Sequence, residues 1–319
     1  MTPDERKQWL EKRRTGLGGT DIAKIIVDAA PRAKRIGCYR GSIFQMWAEK
    51  VGLHQPSEYT MSDAARRGIQ LESYVCGLYK DYLNEEVEFT EFGSIKHPTR
   101  SIVRGSPDRM VKALDSGVTW GMDAKTRRYR KGWGDHQTSD VPLDTEIQMR
   151  VYMEIFDKPF WDVATLFGID DFRVYRLDRD EKLGTQILDV AETWWETHVV
   201  GNMPPDPDGH EKTRELLAHF HDKPTDELRQ PTLLDQQLHE DLIDIRKRYK
   251  ELGAEKDLLE NTLRGRIGDD LGIKGIATWK PGKPRKLLDT KRLKAEDPEL
   301  YEKYLSERPA TRTLRVMGE

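Results

Sequence analysis

Met203-Pro204-Pro205-Asp206-Pro207-Asp208-Gly209 packs three prolines and a glycine into seven residues, and neither a helix interior nor a central strand tolerates such a stretch. The break divides the chain into a domain spanning 1–204 and an extension spanning 205–319. Before it, helical and strand-like patterns alternate. Helices are expected from about Asp21, over Ser62 to Leu83, Leu143 to Phe156 and Glu181 to Val200. Strands are expected near Val87 to Lys96, Ser101 to Arg104, Val118 to Lys125, Phe160 to Gly168 and Phe172 to Leu177. This alternation predicts an α/β domain built on a central mixed sheet flanked by helices. After the break, Leu238, Leu242, Ile245, Tyr249, Leu252, Leu259, Leu263 and Ile267 recur at helical spacing, interrupted by Lys256, as one long helix or as two helices broken at Gly253.

Charge excludes little by itself. The net charge is −3, with 30 basic and 32 acidic residues before the break, so any nucleic-acid footprint is local. The window 206–270 carries 11 basic against 17 acidic residues, and 271–319 carries 12 against 7, including Lys280, Lys283, Arg285, Lys286, Lys291, Arg292 and Lys294. No apolar run approaches the roughly 20 residues of a membrane helix, and Met1 to Arg14 is too polar for a signal peptide. Two cysteines, Cys38 and Cys76, provide no disulfide framework, and no His or Cys cluster has zinc spacing. A reducing, cytoplasmic setting is expected.

The chemistry gathers around two carboxylates. Asp108 closes Gly105-Ser106-Pro107-Asp108, and Asp123-Ala124-Lys125 ends a predicted strand fifteen residues later. Alternation along a strand puts Asp123 and Lys125 on one face and leaves the Ala124 side chain on the other, with its carbonyl available as a ligand. Mg²⁺ takes one or two carboxylates plus waters and substrate phosphate, a role that Asp108 and Asp123 suit, and Mn²⁺ is the expected substitute. Lys125 would orient or activate a water for phosphodiester hydrolysis. A D-x-K tripeptide alone more often marks a solvated strand end, so the neighbours matter. Glu72 lies in Gly68-Ile69-Gln70-Leu71-Glu72, on a helix whose Ile69, Val75, Leu78 and Tyr82 read as the buried stripe. Gln148 and Tyr152 stand four apart beside the apolar row Leu143, Ile147, Val151 and Ile155. Lys125, Arg127, Arg128, Arg130 and Lys131 put five cations within seven residues, suited to a phosphate backbone. Finally, Arg13-Arg14-Thr15-Gly16-Leu17-Gly18-Gly19-Thr20-Asp21 opens a helix with glycines that let backbone N–H groups approach an anion, with Thr20 or Asp21 as N-cap.

In this order, the Arg13-to-Asp21 block, Gly68-x-x-Leu71-Glu72, Ser106-Pro107-Asp108, Asp123-x-Lys125 and Gln148-x-x-x-Tyr152 resemble the YqaJ-like viral recombinase family. These are relatives of phage lambda exonuclease within the PD-(D/E)xK nuclease superfamily. The resemblance runs from about Trp9 to Pro204, and Trp47-Ala48-Glu49-Lys50-Val51-Gly52 narrows it. Ala277-Thr278-Trp279-Lys280, Leu288-Asp289 and Pro298-Glu299-Leu300-Tyr301 are similar to the C-terminal extension of longer phage-type members. The resemblance implies a restriction-endonuclease-like core with a helical C-terminal extension. It implies that Glu72, Asp108 and Asp123 are metal-site acids, Glu72 through a water, that the Ala124 carbonyl is a further ligand, that Lys125 is the catalytic lysine and that Gln148 is the active-site glutamine. Arg13, or Arg14, and Thr20 match the arginine and serine that hold a terminal 5′-phosphate. Asp123 departs from the commoner glutamate and Thr20 from serine, shortening one arm by a methylene and adding a methyl to the other. The implied activity is Mg²⁺-dependent 5′ to 3′ digestion of linear duplex DNA for recombination by annealing, by a ring-forming oligomer, most simply a trimer, with a single-strand annealing protein as partner in a bacterial host cell. An internally cutting endonuclease of the same fold and an inactive DNA-end-binding protein are the alternatives.

Overall fold

The computed structural model describes residues 11, 13–39, 41–54, 63–283, 287–306 and 313–317, so Trp9, Ser62, Arg285 and Lys286 lie outside the described residues. The centre of the fold is a five-stranded sheet in the order β2-β5-β6-β7-β8, formed by Val87–Thr90, Arg109–Ala113, Thr119–Arg127, Phe160–Phe167 and Asp171–Asp178. Neighbours run antiparallel except β6 and β7, whose parallel pairing sets Asp123 against Val163 and Lys125 against Thr165. A parallel step needs a crossover, and helix α4 (Leu143–Phe156) supplies it. A smaller sheet, β1-β4-β3, joins Leu17–Gly18, Val103–Gly105 and Ile95–Lys96. The mixed α/β architecture is the one expected from the alternating patterns. Strand β5 and helix α2 (Ile43–Val51) were not among the expected elements, and the stretch expected as one strand over Val87 to Lys96 divides into β2 and β3.

Alternation decides what each face of the sheet buries. On one face, Trp120, Met122, Ala164 and Leu166 pack with Val75, Cys76 and Tyr79 of α3 (Asp63–Leu83). The buried stripe of α3 is therefore rotated from the expected one: Val75 is fully buried, whereas Ile69 is 60% exposed and Tyr82 38%. A polar network fastens this layer. Buried Asp162 receives both Nε (2.8 Å) and Nη2 (2.7 Å) of Arg176 and the Tyr79 hydroxyl (2.5 Å), and Trp120 Nε1 donates to that hydroxyl (2.8 Å). On the opposite face, Trp161 meets the Tyr152 ring of α4 at 5.3 Å between centroids. Helix α1 (Gly19–Ala29) packs against α4, whose outer side is covered by α5 (Glu181–Trp194), continued as a π turn over Trp195–Val200.

The first compact unit extends to Leu217, past the boundary expected at 204. Polar side chains beyond the prolines explain why. Asp208 Oδ2 accepts from the Ile43 (2.8 Å) and Phe44 (3.3 Å) amides at the start of α2, and Thr213 bonds Ser42 at 2.8 Å. Leu216, on α6 (Glu211–Phe220), is buried. The second unit, 218–319, contains α7 (Leu233–Ile267), a β9–β10 hairpin (Gly272–Ile273, Ala277–Thr278), α8 (Thr290–Glu296) and α9 (Pro298–Lys303). Helix α7 is one uninterrupted helix through Gly253, opened by a Thr232/Asp235 capping box.

A buried ion pair ties the N-terminal block to this frame. Lys50 of α2 donates from Nζ to the Arg13 (2.6 Å) and Gly16 (2.7 Å) carbonyls and to Asp21 Oδ2 (2.8 Å), and both charged side chains are 4% exposed. Burial alone would push the Asp21 carboxyl up, but Lys50, Lys24 and Arg13 outweigh it and hold it well below the ordinary range. Removing one partner of such a pair strands the other charge. Lys50→Ala is predicted to cost about 3–5 kcal/mol of stability, measured by urea unfolding; a loss below about 1 kcal/mol would be that of an exposed pair.

Candidate active site

Strands β5 and β6 bring the two expected acids together. Their register pairs Arg109 with Met122, so Asp108, one residue before β5, lies level with Asp123. It begins a strand rather than ending one, because β4 stops at Gly105. Asp108 Oδ2 accepts from the Ala124 amide at 2.8 Å. In an extended strand a residue's N–H and C=O leave from the same edge, so the Ala124 carbonyl also projects on the side that Asp108 occupies. Asp123, 1% exposed, and Lys125 share the face covered by α4, and Lys125 Nζ is in ion-pair contact with Asp123 Oδ2. That oxygen is buried and makes no regular hydrogen bond.

A relay of side chains closes the circuit. Lys125 Nζ donates to Gln148 Oε1 (3.1 Å), Gln148 Nε2 to the Tyr152 hydroxyl (2.9 Å), and that hydroxyl to the Ser106 carbonyl (3.1 Å) in the turn that presents Asp108. Helical spacing stacks Gln148 and Tyr152, and both belong to the crossover that the parallel β6–β7 step requires. Thr165, beside Lys125 on β7, is fully buried with an unpartnered hydroxyl; its strand pattern alone reads as ordinary core.

The electrostatics single out Asp108. Burial first, then the nearby Asp123 charge, push its carboxyl up to about 7, against the opposing pull of Lys125 and the Ala124 amide. The same burial and the same acids push the Tyr152 phenol up, keeping it a neutral donor. Two neighbouring carboxylates, buried Asp123 and half-buried Asp108, beside the Ala124 carbonyl form an all-oxygen donor set that fits a hard divalent cation completed by water. Glu72 is not part of that donor set. Its Oε1 is 2.9 Å from Arg109 Nη1, and Arg109 also holds Glu91 at 2.9 Å. Arg109 and Met122 are cross-strand partners on the α3 face, which directs Glu72 there; its charge still adds to the upward push on Asp108. No group of three or more His, Cys, Asp or Glu side chains is arranged to hold a metal ion among the described residues.

The N-terminal block lies beside this cluster. The N-cap of α1 is Gly18, not Thr20 or Asp21; Asp21 is at N3, where its Oδ2 accepts from the Gly18 amide (3.3 Å). A Cβ on Gly19 would stand 3.1 Å from Gln148 Cγ and 3.2 Å from Tyr152 Cε1, so the absent side chain lets the first turn of α1 approach the relay. Thr20, next in sequence, is exposed. Arg13 approaches Asp21 at 3.4 Å, and the Arg14 guanidinium lies against Gly52, at the C-terminus of α2.

The basic loop divides. Arg127 is half-buried with its guanidinium 5.7 Å from the Trp133 ring, Arg128 lies over Tyr129, Arg130 pairs with Asp135 at 3.1 Å, and Lys131 is exposed. Arg32, Lys34 and Arg35, on a 3₁₀ turn, add a basic segment that the sequence reading passed over.

The elevated Asp108 carboxyl has a stability consequence. A group that holds its proton more tightly in the folded state stabilises the fold fully below the unfolded value near 3.8 and loses that contribution as pH rises through about 7. Metal-free protein should therefore lose on the order of 3 kcal/mol between pH 4 and 8 from this group, and Asp108→Asn should flatten that slope in denaturant titrations run in chelator. An unchanged slope would place the titrating group elsewhere.

The family model described as the YqaJ-like viral recombinase domain matches residues 8–159, which include Glu72, Asp108, Asp123, Lys125, Gln148 and Tyr152. The uncharacterized protein YqaJ of Bacillus subtilis (strain 168) is 26% identical over 313 residues, covering 95% of this chain and 91% of the relative. Among solved structures, an alkaline exonuclease from Laribacter hongkongensis is similar at 17% identity and a TM-score of 0.44, over 60% of this chain and 91% of that one. A phage related exonuclease from Haemophilus somnus 129PT is similar at 12% identity and a TM-score of 0.39, over 59% and 96%. The carboxylate pair, the lysine and the glutamine thus lie within residues 8–159, the stretch that is similar to the YqaJ-like viral recombinase domain.

Proposed function

We propose that this protein is a divalent-metal-dependent deoxyribonuclease that digests linear duplex DNA from a 5′ end and leaves a 3′ single strand for annealing. The observation that carries the reading is the pairing of half-buried Asp108 with buried Asp123, with Lys125 on the same face of β6 as Asp123. When bound there, Mg²⁺ or Mn²⁺ would neutralise charge on the phosphate and lower the pKa of a coordinated water. Asp108, Asp123 and the Ala124 carbonyl would hold the ion, and Glu72 would join through a water only on leaving Arg109. Lys125 Nζ, steered by Gln148, would orient the attacking water and offset charge on the phosphoryl oxygens. The water oxygen bonds to phosphorus as the bond to the 3′-oxygen breaks; the leaving oxygen takes a proton, and the product carries a 5′-phosphate.

Arg13 and Thr20, at the first turn of α1, are the proposed anchors of a terminal 5′-phosphate, and Arg127, Arg128, Arg130 and Lys131 the proposed contacts to the backbone. The polarity, a trimeric ring around the DNA and a single-strand annealing partner rest on family resemblance. No helix among the described residues is long and apolar enough to cross a membrane.

The test incubates wild-type protein and Lys125→Ala with Mg²⁺, linear DNA labelled at either end, and covalently closed circles. Release of the 5′ label as mononucleotide, intact circles, and a loss of about a thousandfold in rate for Lys125→Ala are expected. Nicked or linearised circles would mean an endonuclease, inactivity on both substrates would mean an end-binding protein, and robust cleavage by Lys125→Ala would move the active site.

A further inference from the structure

Helix α7 carries an apolar seam that is largely exposed among the described residues. Written as heptads, Leu242, Tyr249, Lys256 and Leu263 occupy a positions and Leu238, Ile245, Leu252 and Leu259 occupy d positions, four heptads of coiled-coil spacing. Leu238, Ile245, Tyr249, Leu252 and Leu259 are each more than half exposed. A seam of this regularity, about 40 Å long at 1.5 Å per residue, is the pattern that a second helix buries.

We infer that α7 pairs with α7 of a second copy of this chain as an antiparallel two-stranded coiled coil. The charges choose the occupant and the direction. With Leu242 facing Leu259 of the second copy, the whole seam overlaps: Leu238 meets Leu263, Ile245 meets Lys256 and Tyr249 meets Leu252, each twice about the two-fold axis. In this register the flanking g positions place Arg248 against Glu255 of the second copy and Asp241 against Thr262. The e positions place His239 against Glu260 and Arg246 against Gly253. No pair joins like charges. A parallel pair would instead set Lys256 against Lys256 in the core and Glu255 against Glu260 on its flank. Lys256 already turns its ammonium to Glu260 of its own helix at 2.6 Å, which leaves its alkyl stem along the seam. Arg248 holds Asp244 at 3.0 Å, an exposed i,i+4 pair that is inexpensive to exchange.

Sedimentation equilibrium of the full chain, from micromolar concentration upward, tests this pairing. Leu252→Asp changes an exposed side chain and is expected to halve the mass of the associated species, a dimer becoming a monomer or a hexamer a trimer, so the result does not depend on how the first units assemble. Arg248→Glu and Glu255→Arg are each expected to weaken association about tenfold, and the double variant to restore it to within about threefold. A monomer at every concentration, an unchanged mass for Leu252→Asp, or tighter association by Glu255→Arg alone, the mark of a parallel pair, would overturn the inference.

Discussion

Two carboxylates, buried Asp123 and half-buried Asp108, held level where β5 meets β6 set the terms for the first unit. Burial and the nearby Asp123 charge raise the cost of ionising Asp108, and Lys125 and the Ala124 amide offset it. Asp162, on the neighbouring strand and equally buried at 1% exposed, makes the contrast. Its oxygens are taken by Arg176 and Tyr79, so it is a finished structural anchor. Asp123 instead has its Oδ2 in ion-pair contact with Lys125 and without a regular hydrogen bond, beside the Asp108 carboxyl. Burial alone distinguishes neither acid; the state of the hydrogen bonds does.

The N-terminal block divides its residues between architecture and chemistry. Asp21 is spent on Lys50 and on the Gly18 amide, which locks the start of α1. That lock brings Gly19 against Gln148 and Tyr152 and leaves Thr20 facing outward. One short motif therefore fixes the relay and presents the residue proposed to meet the DNA end.

Much of the site was legible because it follows short-range periodicity. The i,i+2 rule placed Asp123 and Lys125 on one face, and the i,i+4 rule stacked Gln148 with Tyr152. What escaped depends on contacts distant in sequence. Strand β5 has five residues and buries Met110 and Val111 consecutively, so it shows no clean alternation; without it, the register that sets Asp108 level with Asp123 was invisible. Arg109 claims Glu72 through a pairing across 37 residues. Nothing in the sequence couples Lys50 to Asp21, because only the fold buries the two together. The prolines at 204–207 stop regular structure, yet Asp208 and Thr213 carry the first unit beyond them.

The proposed function requires Asp108 and Asp123 to form one cation site, with Lys125 serving chemistry rather than binding. Calorimetric titration of Mn²⁺ into wild-type protein, Asp108→Asn and Lys125→Ala addresses this most directly. Binding retained by Lys125→Ala and lost by Asp108→Asn is the predicted result; equal binding by all three proteins, or none by the wild type, would contradict it.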